Sequence, residues 1–342
     1  MTRSPITRPR LATRRASGTF TALAVLTALT LVSAGQSFAQ NNGDEAGKVL
    51  RIGYQKAGLL AILKAQGSLE QKLGPLGYSV KWFEFPAGPQ LLEALNAKSI
   101  DFGYTGAPPP VFAQAGGVNF VYVGAEPEGV HTEAVIVKTG SPLQTIAQLK
   151  GKRIALQKGS SANFLLLEVL QKAGLRYEDI HPVYLPPADA RAAFESGDVD
   201  AWVIWDPYYA AAQQALHART LADYSNVNTA HSFYEATRDF AQHHPDVIGM
   251  LLGQLRTTGQ WVNQHPAETA ALIAPKVGLD QQLVETWVRR YPYGTTAVTD
   301  DIVRSQQSVA DVFYGAHLIP QKITVRDNVW QNSEVAASLA AK

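Results

Sequence analysis

The chain predicts an α/β fold of two doubly wound lobes with a cleft between them and a helical C-terminal part. Three observations predict it. From Val49 onward, short apolar runs alternate with helix-period segments across brief Gly/Pro joints. The alternation completes one round by Gly124, and a second round of the same plan starts at Glu133. After Tyr234 the remaining segments are mostly long and helical.

In the first round, residues 49–54 form a strand, and a helical stretch over 59–73 ends at Gly74-Pro75. A strand over 80–85 leads through Pro86-Ala87-Gly88-Pro89-Gln90 into a helix, with Pro89 suited to the first turn because its missing N–H would be unpaired there anyway. A third strand covers 100–104, Thr105-Gly106-Ala107 precedes a helix over 108–115, and a fourth strand covers 120–124. The second round opens with a strand over 133–138 and a short helix over 143–149. A strand–turn–helix unit over 153–170 follows, then a strand at 183–185, a helix over 187–194 closed near Gly197, a strand over 199–205 and a helix over 210–216. The helical part comprises 245–262, 266–277 stopped at Gly278, 283–290, and 300–317 capped by Thr299. With crossings between lobes near 133–138 and 228–234, domain 1 is assigned to 48–136 and 233–342 and domain 2 to 137–232.

Residues 1–39 read as a signal peptide. They carry Arg3, Arg8, Arg10, Arg14 and Arg15 and no acid, then an apolar run over 20–35, and Ser37-Phe38-Ala39 fits a small-x-small cleavage site. Thr13-Arg14-Arg15 hints at a twin-arginine signal that Ala16-Ser17 continues poorly, so the export route stays open. Removing the segment leaves 25 basic side chains against 29 acidic, a formal charge of −4. A mildly acidic chain without a Lys/Arg cluster argues against nucleic acid as a partner. The chain has no Cys, which excludes disulfides, a lipid anchor at the cleavage site, a thiol nucleophile and a thiolate metal site. The expectation is a periplasmic protein held together by core burial alone.

The unit over 153–170 carries the first functional signal. Ile154-Ala155-Leu156 runs into Gln157-Lys158-Gly159-Ser160-Ser161 and then an apolar helix. Gly159 permits the sharp turn and Ser160 or Ser161 can cap the helix. A helix opening in Gly-Ser-Ser presents unpaired backbone N–H groups, hydroxyls and the positive end of its dipole, which together can seat an anion. An ordinary capped junction would look the same in isolation, but helix openings recur at Gly88-Pro89-Gln90 and Thr105-Gly106-Ala107. In facing α/β lobes such openings line one ligand cleft.

Several motifs carry a family resemblance. Gly53-Tyr54-Gln55-Lys56, Phe85-Pro86-Ala87-Gly88-Pro89-Gln90, Thr105-Gly106, Gln157-Lys158-Gly159-Ser160-Ser161 and Trp205-Asp206-Pro207-Tyr208-Tyr209 resemble those of the aliphatic sulfonate-binding proteins of bacterial ABC importers, which are type II periplasmic binding proteins. The resemblance runs from Val49 to about Trp330. It implies a non-catalytic receptor without cofactor or metal, a monomer that binds an alkanesulfonate and delivers it to an ABC permease and its ATPase at the inner membrane for sulfur acquisition. The residues that match are Gln55, Gly88, Pro89, Gln90, Tyr104, Thr105, Gly106, Ala107, Ser160, Ser161, Trp205, Asp206, Tyr208 and Phe233, the aromatic ones serving as apolar walls for the tail. A sulfonate keeps one negative charge and three acceptor oxygens at any biological pH, so its seat should consist of donors. A receptor for another small organic anion, such as taurine, a sulfate ester or nitrate, is the alternative on the same fold. An enzyme on this fold is a further alternative, against which stand the missing Cys and the lack of a Ser/His/Asp set with defensible spacing.

Other residues have simpler readings. Asp206 before Pro207 suits a helix cap, and Trp205 suits either a strand end in the core or a cleft wall. Glu126 would repel a sulfonate head unless it fixes a donor. His243-His244 point about 100° apart on a helix and do not form a metal pair. Arg289-Arg290 suits a solvated helix end. Ala107 stands where the resembling proteins usually carry Asp, which predicts a less negative wall there and a preference for tails without an amine or hydroxyl.

Overall fold

The computed structural model describes residues 48–340. The signal peptide expected over 1–39 lies outside them. The chain begins with β1 (Lys48–Tyr54), α1 (Leu59–Gln66), α2 (Ser68–Leu73), β2 (Tyr78–Glu84), α3 (Gly88–Asn96), β3 (Phe102–Gly106), α4 (Pro108–Ala115) and β4 (Phe120–Glu126). It continues with β5 (Glu133–Val137), β6 (Arg153–Leu156), α5 (Ser161–Lys172), β7 (His181–Tyr184), α6 (Pro187–Ser196), β8 (Ala201–Trp205), α7 (Tyr208–Leu216) and β9 (Arg219–Ala222). It returns through β10 (Ser232–Thr237) to α8 (Arg238–His243), α9 (Pro245–Gln264), α10 (Pro266–Val277), α11 (Gln281–Val288), α12 (Asp300–Gly315) and α13 (Ser333–Ala340). Among the described residues no helix is long and apolar enough to cross a membrane.

The strands form two five-stranded sheets, ordered β2-β1-β3-β10-β4 and β7-β6-β8-β5-β9. The two orders are the same when each round is counted from its own start. In both, the third strand is followed by the crossing strand and then the fourth. β10 runs antiparallel to β3 and β4, and β5 antiparallel to β8 and β9, while β1 with β2 and β3, and β6 with β7 and β8, are parallel. The strand at 133–137, which the expected domain boundary divides, pairs wholly within the second sheet. A parallel strand covered by helices on both faces reads as an unbroken apolar run, and Ala201-Trp202-Val203-Ile204-Trp205 of β8 is buried at every position.

Local chemistry explains the helix ends. Gly278 stops α10 in the left-handed conformation, Thr299 accepts from the Ile302 N–H to cap α12, and Pro245 and Pro266 open α9 and α10. The expected helix over 59–73 is broken at Gly67, which takes a left-handed φ of 66° and gives its N–H to the Leu63 carbonyl. The expected helix over 143–149 shrinks to a 3₁₀ turn at Ile146–Leu149, held by a reciprocal Thr145/Gln148 box. The sequence pattern shows neither β9, a four-residue edge strand, nor most of β10, a crossing strand that takes its conformation from the sheet it enters.

Helix α12 joins the two halves of the structure. Its Phe313 is fully buried, 5.0 Å by ring centroid from Phe112 of α4 and 6.4 Å from Phe164 of α5. These rings hold the start of α5 against the helix that follows β3, and Gly159 of the preceding turn approaches the same Phe112 ring. Phe313→Ala should therefore destabilise the protein by about 3–5 kcal/mol in denaturant unfolding. A loss below about 1 kcal/mol would mean that the three rings do not hold the halves together.

Candidate functional site

The ends of β1, β3, α3 and α5 converge on one space between the sheets. Ser160 ends the turn in extended backbone, and α5 begins at Ser161. The Asn163 and Phe164 N–H groups bond back to the Ser160 carbonyl, which leaves the Ser161 and Ala162 N–H groups at the open end of the helix. Opposite lies Gly106 at the end of β3, so close that a Cβ there would sit 3.0 Å from the Ser161 Cβ. Gly88 opens α3 under similar crowding, where a Cβ would meet Pro109 at 2.6 Å. The absence of side chains at these two positions lets the end of β3 pack against the start of α5 and the start of α3 pack against α4. Gln55 after β1 gives its Nε2 hydrogen to the Tyr104 carbonyl at 3.2 Å, which holds its amide along the same wall.

The space consists of two adjoining pockets of about 480 and 470 Å³ atom-free volume, open solvent at the mouth included. Gln55, Gly88, Tyr104, Gly106, Ser160, Ser161 and Trp205 line the first, and Ala107 lines the second with Tyr104, Gly106 and Ser161. Among the described residues the lining of these pockets contains no Lys or Arg. The other residues singled out in the sequence lie elsewhere. Pro89 and Gln90 border a separate groove with Phe112 and Lys158. The Thr105 hydroxyl donates to Glu235 at 2.6 Å, Phe233 packs in the core 4.9 Å from the Tyr122 ring, and Tyr208 stands edge-on to Trp205 from behind the wall. Asp206 is fully buried; its Oδ1 accepts from the Ala210 N–H at 2.9 Å, so it caps α7 as a helix-cap reading requires.

The lining also holds residues that sequence reasoning missed, Gly58, Glu133, Ser232 and Tyr291, while Glu126, weighed from the sequence as a repelling acid, lines the second pocket. Tyr291 follows α11 far along the chain, and no local signal marks it. Ser160 differs from expectation as well, because its hydroxyl donates to the Gln157 carbonyl at 2.7 Å and serves the turn. Ser161 is the hydroxyl left to face the space.

Burial pushes the Glu133 carboxyl up to about 7, with the Ser161 hydroxyl opposing the shift and Asp206 adding to it. Burial likewise pushes Glu126 up to about 7, although the Tyr234 hydroxyl donates to it. Asp206 rises to about 6 through burial even though Arg290 counters the rise. Arg290 is not the solvated helix end the sequence suggests. Its Nη1 donates to both Asp206 oxygens at 3.1 and 3.2 Å, its Nη2 to Gln213, and its guanidinium lies 4.3 Å above the Tyr209 ring. Arg289 does behave as expected, pairing with Glu285 one turn back at the surface. His243 and His244 bind separate partners, the Asp239 carbonyl and the Tyr78 hydroxyl.

A family model described as NMT1/THI5 like matches residues 79–269. The chain belongs to the NMT1/THI5-like family. Within it, the chain is 43% identical over 289 residues to a protein of Escherichia coli (strain K12) named "Putative aliphatic sulfonates-binding protein", covering 84% of this chain and 90% of that one. A Bacillus subtilis (strain 168) protein of the same name is 33% identical over 310 residues, covering 90% and 93%. The structure matches the alkanesulfonate-binding protein SsuA from Xanthomonas axonopodis pv. citri bound to MOPS, with a TM-score of 0.80 and 42% identity over 83% of this chain and 98% of that one.

The acids give the family fold here a definite pH dependence. Each of Glu126, Glu133 and Asp206 has its folded-state pKa above the ordinary carboxylate range, so its neutral form is favoured by folding and stability falls as pH rises from about 4 to about 7. Without Arg290, Asp206 would be a buried charge with no counter-ion, which costs about 3–5 kcal/mol. Arg290→Ala should thus lower the unfolding free energy by about 3 kcal/mol at pH 8 and by clearly less at pH 5, where Asp206 can take a proton. Equal losses at both pH values, read from urea titrations, would refute that account.

Proposed function

We propose that this protein is the substrate-binding component of an ABC importer and takes an aliphatic sulfonate into the space between its two sheets. Each sheet with its helices acts as one lobe, and the lobes close on the ligand. The observation that carries the reading is the convergence of the α3 and α5 openings with Gln55 and Ser161 on one cavity without a cationic side chain in its lining. A sulfonate is a weak base with a fully developed charge, and backbone N–H groups with a hydroxyl can hold it without a buried counter-ion and its desolvation. Tyr104 and Trp205 supply the walls for a short tail. The reading agrees with the names of the relatives and with MOPS, itself a sulfonate, in the Xanthomonas axonopodis structure. The proposed setting is the periplasm after removal of the signal peptide, the proposed partners are a membrane permease and its ATPase, and the proposed role is non-catalytic.

A thermal-shift panel of alkanesulfonates, taurine, sulfate and nitrate tests the proposal. A sulfonate at about a hundred times its Kd adds roughly 2.7 kcal/mol, a rise of several degrees in Tm. Stabilisation by nitrate or sulfate and by no sulfonate would point to a different anion. Within the seat, Ser161→Ala should weaken sulfonate binding by about 1.5–3 kcal/mol, the usual contribution of a hydrogen bond to a charged group. Ser160→Ala should affect stability through its turn and affinity less. Calorimetric titration of both variants separates the two serines, and the reverse ranking would assign the seat to Ser160.

A further inference from the structure

The cavity is unlike at its two ends. The first pocket carries the α3 opening and Gln55, the second carries Glu126, and Ser161 and Glu133 border both. Glu133 is only 8% exposed, and its Oε2 has no hydrogen-bond partner among the described residues. The Ser161 hydroxyl bonds to this carboxyl, and within its electrostatic reach lie Tyr224, whose hydroxyl donates to the Ser161 carbonyl at 3.1 Å, Tyr291, and the Asp206 carboxylate already engaged by Arg290. Glu126 across the second pocket accepts from Tyr234, and His231 beside it is bound to the Glu126 carbonyl and lies 3.4 Å from Glu128. No cation faces Glu133 from any of these elements. Buried carboxylate oxygens without a partner are rare, because desolvation is uncompensated. Beside an anion seat such an oxygen is doubly unfavourable, unless the ligand itself brings the missing donor.

We propose that Glu133 reads the tail of the ligand and selects zwitterionic sulfonates, those with a protonated amine near the sulfonate, over plain alkanesulfonates. The inference rests on the sulfonate reading of the cleft. The sulfonate sits at the donor end, and the ammonium donates to the open Glu133 oxygen, with the Glu126 side of the pocket adding negative potential. The wall that Ala107 was expected to make less negative lies in the same pocket as these two acids, so the chain carries the acidic function at other positions.

The proposal fixes the sign of two pH slopes. An ammonium tail favours ionised Glu133, so its binding releases a proton and tightens as pH rises toward about 7 and levels off beyond it. A plain alkanesulfonate favours neutral Glu133, so its binding is level up to about pH 7 and weakens as pH rises above it. The test pair is 3-aminopropanesulfonate and butane-1-sulfonate, which differ by an ammonium against a methyl group, titrated calorimetrically in sulfonate-free buffers at pH 5.5 and pH 8. We expect the amine to win by about tenfold or more at pH 8, opposite slopes with pH, and a Glu133→Gln protein in which the preference collapses and butanesulfonate binds more tightly than to wild type at pH 8. If the variant fails to fold, the opposite slopes of the wild type still decide the matter. Parallel slopes, an unchanged ratio in Glu133→Gln, or weaker binding of both ligands to that variant at pH 5.5 would overturn the proposal, the last by showing neutral Glu133 as a donor to the head group. If butanesulfonate binds without discrimination, only this proposal falls; if neither sulfonate binds, the sulfonate reading falls with it.

Discussion

The site depends on close packing at two glycines of its wall. A Cβ at Gly106 would stand 3.0 Å from that of Ser161, and one at Gly88 would stand 2.6 Å from Pro109. With side chains at these positions the end of β3 could not pack against the opening of α5, nor the opening of α3 against α4. The backbone N–H groups of the α3 and α5 openings replace a buried Lys or Arg, which removes the desolvation of a full counter-charge from the energetics of binding. A seat built this way is fixed by packing. The Phe112, Phe164 and Phe313 rings behind it give α5 its position relative to β3.

Around that seat the protein buries more acid than it neutralises. Asp206 has Arg290, and Glu126 has the Tyr234 hydroxyl, but Oε2 of Glu133 and Oε2 of Glu235 have no partner among the described residues. Thr105 satisfies one oxygen of Glu235 from β3, next to the cleft wall. Such groups lower the stability of the empty protein at neutral pH, and a ligand that supplies their donors recovers it. The energetic cost therefore falls on the ligand-free state.

Glu126 and Glu133 alter the meaning of the departure at Ala107. Judged from its own neighbours in the chain, Ala107 makes the cleft wall apolar. In three dimensions it borders a pocket shared with Glu126 and Glu133, which come from β4 and β5, and its carbonyl accepts from Gln306 of α12. Charge in a cleft belongs to the assembled wall, and one position along the chain is a poor measure of it.

The sequence by itself determined most of the architecture. Two rounds of alternating strand and helix, Gly278 and Thr299 at helix ends, and the Gly-Ser-Ser opening of α5 all act through interactions within a few residues, so they are legible without tertiary knowledge. Gln55, Gly88, Tyr104, Gly106, Ser160, Ser161 and Trp205 were legible for the same reason: each lies at a strand end or helix opening, where an α/β sheet presents its binding edge. Only the tertiary structure decided where the two adjacent serine hydroxyls go, that of Ser160 to the Gln157 carbonyl within the turn and that of Ser161 to the Glu133 carboxyl in the cavity. It also gave Asp206, which keeps its cap role, a partner 84 positions away in Arg290, which is therefore no solvated end, and it brought Glu133, Ser232 and Tyr291 to the wall. These contacts join segments with no local signature in common. They are set by where β5, β10 and the turn after α11 come to rest, which depends on the packing of the whole chain.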